Sequence, residues 1–433
     1  MVDFPTDNHG WSELLSPRLV VDSIQGAHRV PWVIVGGGLT GLSCARRLAE
    51  LYPNDEVLLL DARLIGQGAS GRNSGFAVGV SHFPGPYKIQ DKENIDRVNR
   101  INQAGLALLD QQITSQSIHC QWDNNGFHHG AADSKSIKEH SHFVNYLDAI
   151  EAEHNSLNED DMKSRFGTSL YKAGVHVKTG ALVQPAALVR GLANNIPSNV
   201  RLIENCPVLK IKSGRTIKIT TSSGEITTDK LVLATNYEAP KIGFLKRRVL
   251  GSTLSGSFTR ILTPQELATL GSHESWGIIS LHSGGATLRL TSDGRISLRN
   301  TAEYNGGALL SPQALKRRQI THRNSFEKRF PQLAEVPFEF AWSGVEGISR
   351  NDTNFFGQQS KNIFLAGGYN GSGVSRGTAF GYALAEYAGG GQSELITDCL
   401  SSKAATWLPP RPFLDLGAML KVKARFQGAG LDR

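Results

Sequence analysis

Residues 31–41 read Pro-Trp-Val-Ile-Val-Gly-Gly-Gly-Leu-Thr-Gly. Trp32 to Val35 is a short apolar run suited to a strand buried on both faces. Gly36, Gly38 and Gly41 follow with G-x-G-x-x-G spacing, and Leu42 to Leu51, rich in Ala, Leu, Arg and Glu, predicts a helix. A second apolar run, Val57 to Leu60, ends at Asp61, 20 residues beyond Gly41. Each part has a physical role. Gly36 permits a tight turn, Gly38 lets the backbone approach a pyrophosphate, and Gly41 lets helix and strand pack closely. The helix N-terminus, with Leu39 and Thr40 in its turn, offers free N–H groups and partial positive charge to phosphates. The Asp61 carboxylate, followed by Ala62 and Arg63, can accept from ribose hydroxyls. Strand, glycines, helix, strand and acid in this order mark a dinucleotide site, without saying which dinucleotide.

The next stretch narrows the choice. Residues 66–75 read Gly-Gln-Gly-Ala-Ser-Gly-Arg-Asn-Ser-Gly, four glycines in ten residues. Such a loop can wrap a flat or charged ligand at close range. Arg72 and Asn73 in its middle, and Phe76-Ala-Val after it, set it apart from a flexible linker. Gly36 to Gly41, Asp61 and Gly68 to Gly75 together resemble the flavoprotein amine oxidoreductases of the D-amino-acid-oxidase superfamily. That group includes glycine oxidase, monomeric sarcosine oxidase and γ-glutamylputrescine oxidase. The run Gly68-Ala69-Ser70-Gly71-Arg72-Asn73-Ser74-Gly75 is most similar to the γ-glutamylputrescine oxidase branch. The resemblance implies FAD, with this loop running past the pyrophosphate to the isoalloxazine. Asp61 stands where the family usually has Glu; either acid can bind a ribose.

Length and composition set the frame. At 433 residues the chain is long enough for two domains. The net charge of +7 and pI of about 9.2 raise a nucleic-acid or acidic partner. The cations are spread out, with Lys246-Arg247-Arg248 and Lys316-Arg317-Arg318 the densest clusters, so a solvated basic surface is expected and nucleic acid is not. Cys44, Cys120, Cys206 and Cys399 form no C-x-x-C and are expected to be reduced thiols in a cytoplasmic protein. Met1 to Arg29 carries no signal pattern, and no apolar run is long enough to span a membrane.

Along the chain, residues 1–28 read as an irregular extension. Tyr87 to Gln116 predicts a helix, Gly126 to Ala131 a strand and Lys135 to Glu151 a helix. His128, His129, His140 and His142 lack a carboxylate or cysteine to complete a ligand set, so no metal is expected. A helix with Pro185 in its first turn leads to strands at 200–203, 208–213, 216–221 and 230–234. Residues 245–305 alternate like antiparallel strands, with a turn at Ser292-Asp293-Gly294, and 311–330 predict a basic helix. The expected architecture is α/β: a discontinuous Rossmann-like FAD domain of the glutathione-reductase type with an antiparallel-sheet substrate domain. Its expected limits are 29–85, 160–240 and 341–390 for FAD, 86–159 and 241–340 for substrate, and 391–433 for a C-terminal extension.

Residues 363–386 repeat the strand, glycine turn and helix pattern. The turn aims a positive helix end where the flavin N1–C2=O edge becomes anionic on reduction. Gly367, Gly368, Gly371, Ser372, Gly373 and Val374 resemble the family's C-terminal flavin motif. The resemblance also implies FAD contacts at Asn370, at Gly344 and, through its backbone, at Val208; Thr235-Asn236 departs from the usual Thr-Gly. Residues 340–366 hold no Cys, and Arg72 occupies the position of a flavin-linked histidine in some relatives, so FAD is expected to be non-covalent.

The cofactor carries the difficult step, in which hydride passes from an amine's α-carbon to flavin N5. The imine formed is hydrolysed to an aldehyde or ketone. No catalytic triad is expected. Residues 341–349, Ala-Trp-Ser-Gly-Val-Glu-Gly-Ile-Ser, resemble W-x-G-x-R of the glycine-oxidase branch, whose arginine holds a substrate carboxylate. Glu346 takes that arginine's place. A carboxylate there repels an amino acid's carboxylate and attracts a second cationic group, which favours an amine, a diamine or an acylated polyamine. Arg72, Arg299 and Arg376 are alternative anchors, and His82, His282 and Tyr304 are candidate polar contacts. Residues 286–305 contain no lysine of the kind sarcosine oxidase places over the flavin, which leaves O2 or another electron acceptor open. An amino-acid or N-methylamino-acid oxidase, a tRNA-modifying relative and a non-catalytic flavoprotein remain as alternatives.

Overall fold

A computed structural model describes residues 9–20, 22–271 and 274–433. Residues 1–8 and 21 of the expected N-terminal extension, and 272–273 of the expected substrate domain, lie outside the described residues. A one-turn helix, α1 (Gly10–Glu13), precedes the first βαβ unit of β1 (Gly26–Val35), α2 (Leu39–Leu51) and β2 (Val57–Leu60). The glycine loop holds α3 (Ala69–Arg72) and leads to β3 (Phe76–Val78) and α4 (Lys92–Ser115). There follow β4 (Phe127–Ala131), α5 (Ser134–Ala149), β5 (His154–Asn158), α6 (Glu159–Phe166), β6 (Ala173–Val177) and β7 (Gly180–Leu182). The chain then forms α7 (Pro185–Asn194), β8 (Val200–Ile203), β9 (Val208–Lys212), β10 (Ile217–Thr221) and β11 (Gly224–Leu233). Beyond these lie β12 (Leu250–Thr259), α8 (Pro264–Ala268), β13 (Trp276–Ser280), β14 (Thr287–Leu290), β15 (Ile296–Glu303), α9 (Pro312–Arg329) and β16 (Phe338–Ile348). Last are β17 (Phe355–Ser360), β18 (Ile363–Gly367), α10 (Gly373–Ala388), α11 (Glu394–Leu400) and α12 (Phe413–Gln427).

Two large sheets organise these elements. The first has the order β17-β18-β11-β1-β2-β8, with β10 and β9 added beside β11. β1 runs parallel to both β11 and β2. Its inner residues and all of β2 are buried, as a strand covered on both faces demands. One face packs on α2, α4, α7 and α10 through Leu42, Leu109, Leu188 and Leu384. The other is closed by Ile217, Ile219 and Val249. The second sheet has the order β16-β12-β15-β14-β13-β4-β6-β5, antiparallel except where β13 meets β4. Phe326 of α9 and Phe330 just past its end pack beneath it against Trp276 and Leu298.

Packing runs across three of the expected boundaries. β6 pairs with β4, so 160–177 goes with the second sheet and not the first. β16 pairs along its length with β12, so 341–348 does likewise. α4, expected on the substrate side, packs on α10 so closely that a Cβ on Gly105 would lie 1.8 Å from the Ser375 carbonyl oxygen. In each case the tertiary partner decides, and local pattern carries no record of it.

The segment before β1 is also more ordered than expected. Trp11 is fully buried, edge-on to Phe258 with centroids 4.5 Å apart, and its Nε1 donates to the Asn73 carbonyl at 2.8 Å. His9 Nε2 pairs with the Gly66 carbonyl at 3.0 Å, and the Gln184 amide donates to the Trp11 carbonyl at 2.8 Å. This segment thus clasps both ends of the glycine loop. Trp11→Ala is expected to cost about 3–5 kcal/mol in a denaturant melt. Trp11→Phe, which keeps most packing and loses the bond to Asn73, should cost nearer 1–2 kcal/mol.

Candidate functional site

A cavity of about 1560 Å³ lies between the two sheets. It exceeds the roughly 300–1,000 Å³ typical of a site for one small ligand, leaving room for a large cofactor and a substrate together. Its floor begins at the turn after β1. Gly36 has φ +108°, a conformation that disfavours any residue with a Cβ. A Cβ on Gly41 would fall 1.8 Å from the Gly36 carbonyl oxygen, so α2 can seat on β1 only with glycine there. The α2 N-terminus is tied to the glycine loop by the Leu39 N–H, which donates to Ser70 Oγ at 3.1 Å.

Asp61 closes this end. One carboxylate oxygen accepts from the Gly37 N–H at 2.7 Å and the other from the Arg63 N–H at 2.8 Å. Burial pushes its pKa up to about 6, against the pull of those two N–H groups. The Arg63 guanidinium reaches Glu238 at 3.1 Å. Thr235, also in the cavity wall, carries a buried hydroxyl with no hydrogen-bond partner among the described residues. The free helix end, the glycine cradle, the acid and this unpartnered hydroxyl fit a nucleotide cofactor.

The residues that the sequence assigns to the cofactor line the cavity, except Gly41, Gly71, Gly75, Gly367 and Gly368. Those five stand behind its wall, Gly71 against the Gly66 carbonyl. Gly41 touches Gly36, Gly75 lies against Arg289 and the Val183 carbonyl, Gly367 packs on Asn236 and Gly368 on Phe355. Asn236, the departure from the family pattern, is a tie between elements, because its Oδ1 accepts from the Gly368 N–H at 2.9 Å. The C-terminal flavin turn is thereby pinned to the end of β11.

The substrate candidates divide. Glu346, Arg299 and Tyr304 line the cavity. Glu346 Oε2 lies 3.4 Å from where a Cβ on Gly371 would be, beside the turn that opens α10. Arg72 lines it too, but its guanidinium donates to the Gln67 carbonyl at 2.8 Å, to Gln67 Oε1 at 3.0 Å and to the Ser343 carbonyl at 2.9 Å. It braces the glycine loop against β16, which corrects the expectation that it anchors substrate. Arg376 is corrected similarly: it is buried and bonded to Asn102 and Ser81, and burial pulls its pKa down to about 10. Tyr304 donates to Asp415 of α12 at 2.7 Å, and the Arg299 guanidinium contacts Thr287. His82 faces Glu139 at 3.1 Å, and that hydrogen bond together with the Gly85 N–H holds the Glu139 carboxyl down at about 2. His128 stacks on His176, and no metal-ligand cluster occurs among the described residues.

Sequence reasoning missed one wall. α12 lines the cavity with Leu414, Ala418, Lys421, Val422 and Phe426. The apolar periodicity of 413–426 is a usable helix signal, but nothing local says that this helix returns to the cavity.

Only the ionised Asp61 carboxyl would accept freely from the hydroxyls of a ribose, the role its sequence position predicts. FAD affinity should therefore weaken as pH falls below about 6, by up to about tenfold per unit. Titrating apoprotein with FAD at pH 5, 6 and 7 checks this; Asp61→Asn should bind more weakly at pH 7 and lose the pH dependence.

Comparison with known proteins places the cavity in a family. A family model described as FAD dependent oxidoreductase (DAO) matches residues 31–387. The chain is 27% identical over 401 residues to the probable oxidoreductase OrdL of Rhizobium meliloti (strain 1021), spanning 89% of this chain and 90% of that one. It is 25% identical over 370 residues to the gamma-glutamylputrescine oxidoreductase of Escherichia coli (strain K12), spanning 82% of each. That relative fits the branch that residues 68–75 resemble. The fold matches the crystal structure of glycine oxidase from Geobacillus kaustophilus with a TM-score of 0.71 at 17% identity, over 85% of this chain and 96% of that one. No helix among the described residues is long and apolar enough to cross a membrane. Because the match runs from β1 through both glycine turns that wall the cavity and most of α10, the chain belongs to the DAO family of FAD dependent oxidoreductases.

Proposed function

We propose that this oxidoreductase acts on an amine that carries a second cationic or hydrogen-bonding group at its far end, a diamine or an acylated diamine. The single observation behind this reading is Glu346: β16 brings a carboxylate to the cavity beside the turn that opens α10. An amino acid's carboxylate would be repelled there, whereas an ammonium or amide N–H is attracted. The similarity to gamma-glutamylputrescine oxidoreductase supports the same class. FAD, when bound, supplies the hydride acceptor. The protein's part is to hold the α-carbon in place and to keep water out until the imine is released.

A second reading, an amino-acid or N-methylamino-acid oxidase, draws on Arg299. Its guanidinium also lines the cavity and could anchor a carboxylate.

FAD is held without a covalent bond in this reading. Cys206 is the cysteine in the cavity wall among the described residues, and its N–H donates to the Asp61 carbonyl at 2.8 Å, at the ribose end of the site. Denaturing the holoprotein should release all flavin to the supernatant; flavin that stays with precipitated protein would sink this point.

Anaerobic bleaching of the oxidised-flavin band tests the substrate class. Putrescine and its acylated forms should bleach it faster than glycine, sarcosine or D- and L-amino acids. Glu346→Gln should lower kcat/KM for the diamine substrates about tenfold or more. Bleaching by amino acids alone, abolished in Arg299→Ala, would establish the second reading instead. Readmitting air then reports whether O2 reoxidises the flavin.

A further inference from the structure

α12 is apolar on two opposite faces. Leu414, Val422 and Phe426 turn inward as part of the cavity wall. Leu416, Met419 and Leu420 are 60%, 59% and 59% exposed and share the far side of the helix, while Phe413, 70% exposed, stands at the cavity mouth at the start of the helix. Trp407, 46% exposed, presents a further amphipathic ring in the segment that leads into the helix.

Cations surround the patch. Lys421 and Lys423 are exposed on α12. Arg247 lies over the Trp407 ring at 5.6 Å, and the Leu408 N–H donates to the Arg247 carbonyl at 2.8 Å, so the exposed Lys246-Arg247-Arg248 run sits beside the same segment. Asp415, the acid on α12, is occupied by Tyr304 and by Arg411 at 3.2 Å. Apolar side chains with a cationic rim are the pattern of a helix that lies in the plane of an anionic bilayer surface.

We propose that α12, with the Trp407 segment, docks this protein peripherally on an anionic lipid membrane. Leu416, Met419 and Leu420 enter the headgroup boundary, and the lysines and arginines meet lipid phosphates. A second copy of the chain is a poorer occupant. Two-fold pairing of this face would set one cationic rim against another. Docking places the wall of the cavity at the bilayer surface, since one helix carries both.

The test is sedimentation of the FAD-loaded full chain with vesicles. Phosphatidylcholine vesicles containing about a third phosphatidylglycerol should carry it down at low salt, and pure phosphatidylcholine should not. High salt should weaken the partition. Leu416→Glu with Leu420→Glu should reduce partition at least tenfold while leaving flavin content unchanged. Arg247→Glu with Lys423→Glu, which leaves every apolar side chain in place, should lower it by about fivefold or more per charge. Equal partition onto both lipids, or wild-type partition by the leucine variant, overturns the proposal. So does failure to sediment with anionic vesicles, together with a dimer in light scattering that the leucine variant dissociates; a second copy would then cover the face.

Discussion

The seat of α2 on β1 is the contact on which the rest of the site depends. With glycine at 41, the helix starts directly above the Gly36 carbonyl, and its free N–H end faces the cavity. The gap left there is bridged by the Ser70 hydroxyl from the glycine loop and by the Asp61 carboxylate from β2. Two separate stretches of sequence are therefore held to this one turn by short polar bonds. Any side chain at position 41 would lift the helix and release both.

A second set of contacts carries this geometry across to the other sheet. Arg72 reaches from the loop to the Ser343 carbonyl of β16, and Trp342 Nε1 donates back to the Arg72 carbonyl at 3.1 Å. Trp11 fills the space behind, against Phe258 and Trp342. β16 also carries Glu346, so the brace that fixes the cofactor loop fixes the proposed substrate contact with it. Burying a guanidinium is costly unless its N–H groups are satisfied, and Arg72 directs its hydrogen bonds to backbone and amide oxygens. That demand is why a residue read as a substrate anchor serves as a strut.

Much of the first sheet is legible in the sequence. Gly36, Gly38, Gly41 and Asp61 announce their roles through spacing, because a phosphate-binding turn needs small residues at set intervals along a contiguous stretch. The strands at 200–203 and 363–367 show as apolar runs for the same local reason. The allocation of β6, β16 and α4 is not legible there. Each reads as an ordinary strand or helix, and its place depends on a partner distant in sequence. Gly105 against Ser375 is one example, and the pairing of β16 with β12 is another.

By itself the sequence determined the FAD cofactor and the family, since both rest on short motifs whose chemistry is complete within a few consecutive residues. Only the tertiary structure decided which side chains surround the remaining space. It brought Glu346, Arg299 and Tyr304 to one cavity, withdrew Arg72 and Arg376 into bracing roles, and folded α12 back as a wall with its far face exposed. The physical reason is burial. A guanidinium or an apolar helix face takes its role from what desolvates it, and in this chain those neighbours come from elements far apart in sequence.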